Sequence, residues 1–362
     1  MRFRTRPPRA FTRADKLHAE HMAAALVGAR DSILVGDACR GMGMILQLCG
    51  VRAGDSVLCS PLGGVHTTQA IAQQRARAVF APVHSGHFHI DPHRTADLLA
   101  QQARKGGAAA MPKALIADTL FGAPGAVQEL QGLCMRYGIA LIEDIGSALG
   151  AQAEASANMA IANMTTANMT TANIATASTP SARLAGSIGR FALAQWNDEK
   201  IDWGYGGMVF SALAQDSAPL HRLRQESDAL TTRAERAVQA LLWEKRIPLL
   251  AQELQQRRAI AARYRRNLAA VVPVQELLPG TRSACTQLAI LCPHTQAAGA
   301  VTAALGEKLI PAAPCPIATD PVHLPREAAE LHSRLLLLPI HSYLTAHVVD
   351  FICAQVQRGL GV

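Results

Sequence analysis

The chain has 362 residues, of which 49% are apolar and 17% charged, and it carries a formal charge of +8. At ~100–200 residues per domain this length implies two packed domains, and the composition excludes a disordered or fibrous chain. The basic excess runs from Arg2, Arg4 and Arg6 to the cluster Arg257, Arg258, Arg263, Arg265 and Arg266 without interleaved aromatics, so it reads as solvated helix surface and not as a nucleic-acid face.

Cys39, Cys49, Cys59, Cys134, Cys285, Cys292, Cys315 and Cys353 never fall at CxxC spacing and mostly sit inside apolar runs. They read as reduced thiols in a cytosolic protein. The basic N-terminus leads into no long apolar segment, and no run reaches the ~18 apolar residues of a membrane helix. A soluble, cytoplasmic protein without an export signal is expected.

From about residue 30, short apolar runs (SVLC, AVFAPV, ALIAD, IALIED, RFALAQW) alternate with helical stretches such as HTTQAIAQQRA and AVQELQGLCMRYG. This alternation predicts βαβ units and a mostly parallel sheet, whose chemistry collects at the carboxyl ends of the strands. Residues 157–176 read ANMAI ANMTT ANMTT ANIAT, a five-residue period matching neither helix nor strand, and are expected to form a mobile surface insertion within 152–182. Beyond Leu220 a long helical pattern, LLAQELQQRRAIAARYRRNLAAV, leads to a mixed tail. The expected division is a large α/β domain over 1–235 and a smaller α+β domain over 236–362.

Two segments begin where a strand ends: IEDIGSALGA and QWNDEKIDWGYGG. In the second, Lys200 precedes a glycine turn that allows the backbone to approach a ligand closely; an isolated lysine is otherwise solvated surface. In the first, Glu143 and Asp144 are both candidates for a buried carboxylate, and either could instead cap a helix.

Together with GDACRGMGMILQLCGVRAGDSVLCSP, VFAPVHSGHFHIDPHRTADLL, ALIADTLFGAPGAVQEL and LLLLPIHSYLT, these segments resemble, in order, the DegT/DnrJ/EryC1/StrS family of pyridoxal-phosphate-dependent sugar aminotransferases. The resemblance implies the α/β architecture of PLP-dependent transferase fold type I: a mostly parallel central sheet with helices on both faces, plus a smaller C-terminal α+β domain. It also implies pyridoxal 5′-phosphate as cofactor, an amino donor such as glutamate, a keto sugar as acceptor, and a homodimer.

Carried over by position, Lys200 resembles the lysine that forms a Schiff base with the cofactor, and Asp144 the carboxylate that pairs with its pyridine nitrogen. The phosphate is expected at the turn before a helix, on the backbone amides around Ala38 and Cys39, where relatives have Ser-Gly-Thr and this chain has Asp37-Ala38-Cys39. Arg40 would have to offset the Asp37 charge there. His66 takes the place of the ring that relatives stack on the cofactor face. Two cofactor contacts depart from the family pattern: Gln195 replaces a phosphate-binding serine, and Ser147 replaces a glutamine.

Other readings compete with this one. The histidines His84, His87, His89 and His93 could form a metal site, although their spacing is unlike zinc motifs. GDACRGMG is neither a GxGxxG fingerprint nor a Walker loop, which disfavours a dinucleotide enzyme. The substituted cofactor contacts also fit a catalytically silent PLP-fold protein acting as a binding or partner subunit. A sugar dehydratase of the same family is disfavoured because those enzymes replace the lysine by histidine.

Overall fold

The computed structural model describes residues 13–146, 148–153, 183–196, 206–227, 249–315 and 324–362. Lys200, Ser147, the five-residue repeat and the expected domain boundary at 235/236 lie outside them.

In chain order the first part comprises α1 (Arg13–Val27), β1 (Asp31–Val35), α2 (Ala38–Leu48), β2 (Ser56–Cys59), α3 (Val65–Gln73), β3 (Arg77–Phe80), α4 (Pro92–Gly106), β4 (Ala114–Asp118), α5 (Val127–Tyr137), β5 (Ala140–Gly146), β6 (Gln152–Ala153), β7 (Arg183–Leu184), β8 (Phe191–Trp196), β9 (Gly206–Ser211) and α6 (Ala214–Ser227). A second part adds α7 (Leu250–Leu268), β10 (Thr281–Arg282), β11 (Gln287–Leu291), α8 (Thr295–Gly306), β12 (Ala313–Pro314), α9 (Arg326–Arg334), β13 (Leu335–Pro339) and α10 (Ala346–Leu360).

Seven strands form the central sheet in the order β1-β9-β8-β5-β4-β2-β3. The block β8-β5-β4-β2-β3 is parallel throughout, and β9 runs antiparallel to both of its neighbours. The apolar runs are continuous because both faces of the sheet are covered. Alternate residues separate the two cores. Ile33, Val57, Ile116, Ile142, Leu193 and Val209 pack with α2, α3 and Leu220 of α6. Leu58, Leu115 and Leu141 pack with α4 and α5, while Leu34, Ala192 and Phe210 pack with α1 and the start of α7.

Helix α2 lies so close to the sheet that a Cβ at Gly41 would stand 2.8 Å from Leu193 Cδ1 and 3.0 Å from Val35 Cγ2, so only glycine fits without displacing a core side chain.

Helix α7 joins both parts of the molecule. Leu250 and Leu254 enter the core beneath the central sheet, whereas Ile260, Tyr264 and Leu268 enter a second core with α8, α10 and the antiparallel sheet β11-β13-β12. The C-terminal region is therefore α+β, as its mixed pattern implied.

At the edge of the repeat, Gln152 and Ala153 pair antiparallel with β7 and with β10, so these two residues belong to a small sheet and not to the insertion. A two-residue strand carries no readable period, which is why the sequence alone set the boundary too early.

Candidate active site

The parallel strands β2, β4, β5 and β8 end together along one edge of the sheet, presenting Ser60, Asp118, Asp144 and Gln195. Strand alternation decides which side each residue faces. Asp144 follows Ile142 by two positions and Asp118 follows Ile116 by two, so both carboxyl groups point toward α2 and α3. Glu143 points to the opposite face.

That difference separates the two acids of IEDIG. Glu143 is 1% exposed and accepts the backbone N–H groups of Gly186, Ile188 and Gly189 at 2.8, 2.7 and 2.6 Å. It clasps the turn entering β8. Burial pushes its carboxyl upward while these three bonds act against that rise.

Asp144 is 4% exposed. Its Oδ1 accepts the Gly146 N–H at 3.0 Å, and its Oδ2 accepts from His66 Nε2 at 2.5 Å, with the Thr67 hydroxyl at 3.4 Å. The backbone is pinned as well, because Thr119 N–H and Oγ1–H donate to the Asp144 carbonyl at 2.9 and 3.2 Å. His66 sits in the first turn of α3, which begins at the Gly63-Gly64 turn after β2. Burial alone would lower the imidazole, but the charge and hydrogen bond of Asp144 outweigh it and raise it above its ordinary value. His66, expected to stack on the cofactor face, is bonded to Asp144 through the edge of its ring.

At the start of α2, Asp37 is the cap, and its Oδ1 accepts the Arg40 N–H at 2.8 Å. Its other oxygen lies 3.3 Å from Arg40 Nε, the ion pair needed to offset its charge, with both side chains half-buried. Ala38 is buried and Cys39 half-buried in the same turn. Burial and the Asp37 charge both push the Cys39 thiol upward, so it is not a primed nucleophile.

Two further polar atoms at this edge are buried without a hydrogen-bond partner among the described residues: Asp118 Oδ2 and Gln195 Oε1. Gln195 lies beside the site, its amide 3.9 Å from where a Cβ on Gly146 would stand. Sequence reasoning did not select Asp118. The signal was present, since ALIAD ends in an acid at the same register as Asp144 on the neighbouring parallel strand.

The histidine cluster has structural occupations. His84 and His87 stack with ring centroids 4.2 Å apart, His84 Nδ1 accepts the Gly86 N–H at 3.0 Å, and His89 Nε2 donates to the Ala123 carbonyl at 2.8 Å. Among the described residues there is no group of three or more His, Cys, Asp or Glu placed to hold a metal ion. Among them, too, no helix is long and apolar enough to cross a membrane.

The sequence profile of the DegT/DnrJ/EryC1/StrS aminotransferase family matches residues 13–357. The chain belongs to that family. Among curated relatives, EpsN of Bacillus subtilis, whose name calls it a pyridoxal phosphate-dependent aminotransferase, is 26% identical over 57% of this chain and 45% of its own length. The L-glutamine:2-deoxy-scyllo-inosose aminotransferase of Streptomyces paromomycinus is 28% identical over 30% of this chain and 24% of its own length. The chain thus spans less than half the length of the curated relatives it matches.

A family aminotransferase from Brucella abortus superposes with a TM-score of 0.77 at 21% identity, covering 98% of this chain and 92% of that one. Helicobacter pylori PseC, an aminotransferase of pseudoaminic acid biosynthesis, superposes at 0.74 with 16% identity over 96% and 91%. The shared fold is that of the PLP-dependent aminotransferases, with a largely parallel sheet between helices.

The residues at the sheet edge fit pyridoxal phosphate. A buried carboxylate at the end of β5 matches a protonated ring nitrogen, the Gln195 Oε1 has no hydrogen-bond partner among the described residues, and the backbone amides of Ala38 and Cys39 open a helix where a phosphate can bind.

Proposed function

We propose that this protein is a PLP-dependent aminotransferase that moves an amino group from an amino acid such as glutamate to a nucleotide-linked keto sugar in polysaccharide or secondary-metabolite biosynthesis, by analogy with its relatives. The observation that carries the reading is Asp144: a buried carboxylate at the carboxyl edge of the sheet, held from both sides by His66 and the Gly146 N–H.

When bound, pyridoxal phosphate supplies an electron sink that stabilises a carbanion at the substrate carbon. Asp144 would hold the proton on the ring nitrogen, and His66 would fix the carboxylate through its Nε2–H. Lys200 would carry the cofactor and then, as a free amine, move the proton at the substrate carbon. Gln195 and the amides of Ala38 and Cys39 would orient the phosphate, with Ser147 near the ring. The reading extends to a cytoplasmic homodimer with sites at its interface.

The test is direct. Purified protein incubated with pyridoxal phosphate should show a visible band that borohydride bleaches, with the reduced adduct mapping to Lys200. Lys200→Ala should lose band and turnover while remaining folded. An adduct on another lysine would overturn the assignment of Lys200.

A second reading is favoured by one observation: the Asp37 carboxylate stands where relatives hold a phosphate, capping the helix itself. In a silent partner subunit the band would be absent at any cofactor concentration, so the same absorbance measurement separates the two.

A further inference from the structure

Asp118 closes β4 and is the register partner of Asp144 on β5. It is 7% exposed, and its Oδ2 is buried without a hydrogen-bond partner among the described residues. The Gly63 turn presses against it: a Cβ there would lie 2.9 Å from Oδ2 and 3.0 Å from Oδ1. A turn that leaves room for a carboxyl group but for no side chain of its own, above an acid with an unused oxygen, is a built feature of this edge.

The charges around it do not balance if both acids are ionised. From β5 comes Asp144; from α3 comes His66, already bonded to Asp144; from β2 comes Cys59, whose thiol burial and Asp118 push upward. Among the described residues, one imidazole therefore faces two carboxyl groups. Burial first, and the Asp144 charge second, hold the Asp118 carboxyl well above the usual carboxylate range.

We infer that Asp118 and Asp144 form a two-carboxyl site for a cationic ring nitrogen, in which Asp118 enters protonated and releases its proton when the cation arrives. The inference rests on the proposed reading of the site as a cofactor site. Before binding, Asp118 is neutral and Asp144 balances His66. A pyridinium then adds a second positive charge, and ionised Asp118 restores neutrality. The O–H bond of Asp118 breaks with its electron pair remaining on the carboxylate oxygen, and the proton passes to solvent buffer. Asp118 is thus a positioning residue that couples cofactor affinity to pH.

The experiment uses the cofactor-free protein and 4′-deoxypyridoxine 5′-phosphate, a pyridinium at the working pH that has no aldehyde and so leaves Lys200 out of the proton count. Titration calorimetry in two buffers of different ionisation enthalpy gives the protons released by wild type and by Asp118→Asn. Wild type should release about one proton per site more than the variant, and its affinity should rise relative to the variant's by up to about tenfold per pH unit. Binding to both proteins with equal proton release overturns this inference and leaves the reading of the site intact. Binding to neither overturns both. Should Asp118→Asn fail to fold, infrared difference spectra of wild type decide: a carboxylic-acid carbonyl band must disappear on binding, and no loss of such a band overturns the inference.

Discussion

His66 Nε2 lies 2.5 Å from Asp144 Oδ2, so an imidazole on α3 and a carboxylate on β5 are joined across the edge where two strands of the sheet deliver their chemistry. Because both groups are almost fully buried, the pair is shielded little by solvent.

The first prediction follows from the direction of the His66 shift. Its folded pKa is raised above the unfolded value of about 6.5, so its stabilisation is fully present below that value and is lost as pH rises through the folded pKa. In the cofactor-free protein, His66→Gln should therefore cost about 1–3 kcal/mol at acidic pH and progressively less as pH rises. Urea unfolding at several pH values checks this; a cost independent of pH would show that the imidazole is neutral throughout.

Asp118 gives a signal of the same direction, beginning at a lower pH. Its raised carboxyl keeps stability that is full below the unfolded value of about 3.9 and is lost as pH rises toward the folded pKa. Across that window the wild type should lose up to about 1.4 kcal/mol per pH unit that Asp118→Asn does not lose. The variant should then be the more stable protein at neutral pH. Parallel unfolding curves for the two proteins from acid to neutral pH would contradict this.

Glu143 concerns the frame and not the chemistry. Glu143→Gln replaces one acceptor oxygen by an NH2 group that must face backbone N–H donors, so about 2–4 kcal/mol of stability should be lost. Amide exchange at Gly186, Ile188 and Gly189 should speed up before the rest of the sheet does. Unchanged protection there would remove Glu143 as the clasp of the turn.

The runs SVLC and ALIAD coincide with β2 and β4 to the residue, because strands covered on both faces are continuous apolar stretches bounded by turns. The end of such a stretch left Glu143 and Asp144 both open, and only the family resemblance selects Asp144. β1 and β9 were not picked out, although DSILV and GGMVFS are equally apolar: one lies just after a helix and the other opens inside a glycine turn, so neither is framed by the alternation that exposed the rest. Asp118 was passed over because its meaning depends on register with Asp144, which no single segment reveals. The bond between His66 and Asp144 was hidden likewise, being a contact between residues far apart in sequence.

The last prediction concerns Asp144→Asn, where two roles predict different results from one protein. If the side chain only holds the turn, asparagine keeps an oxygen for the Gly146 N–H, and turnover should be unaffected. If its charge holds a proton on the cofactor ring, removing that charge should slow the proton-transfer step by ~100-fold or more, for a loss of about 3 kcal/mol. The charge also raises His66 against its burial, so without it the imidazole should titrate below its ordinary range. NMR titration of His66 reports this with no cofactor present. A folded Asp144→Asn protein with a lowered His66 and near-wild-type single-turnover amino transfer would support the ion pair in the wild type but remove Asp144 from the chemistry. Loss of transfer together with the lowered His66 is the expected result, and it ties the charge seen by the imidazole to the charge required by the ring.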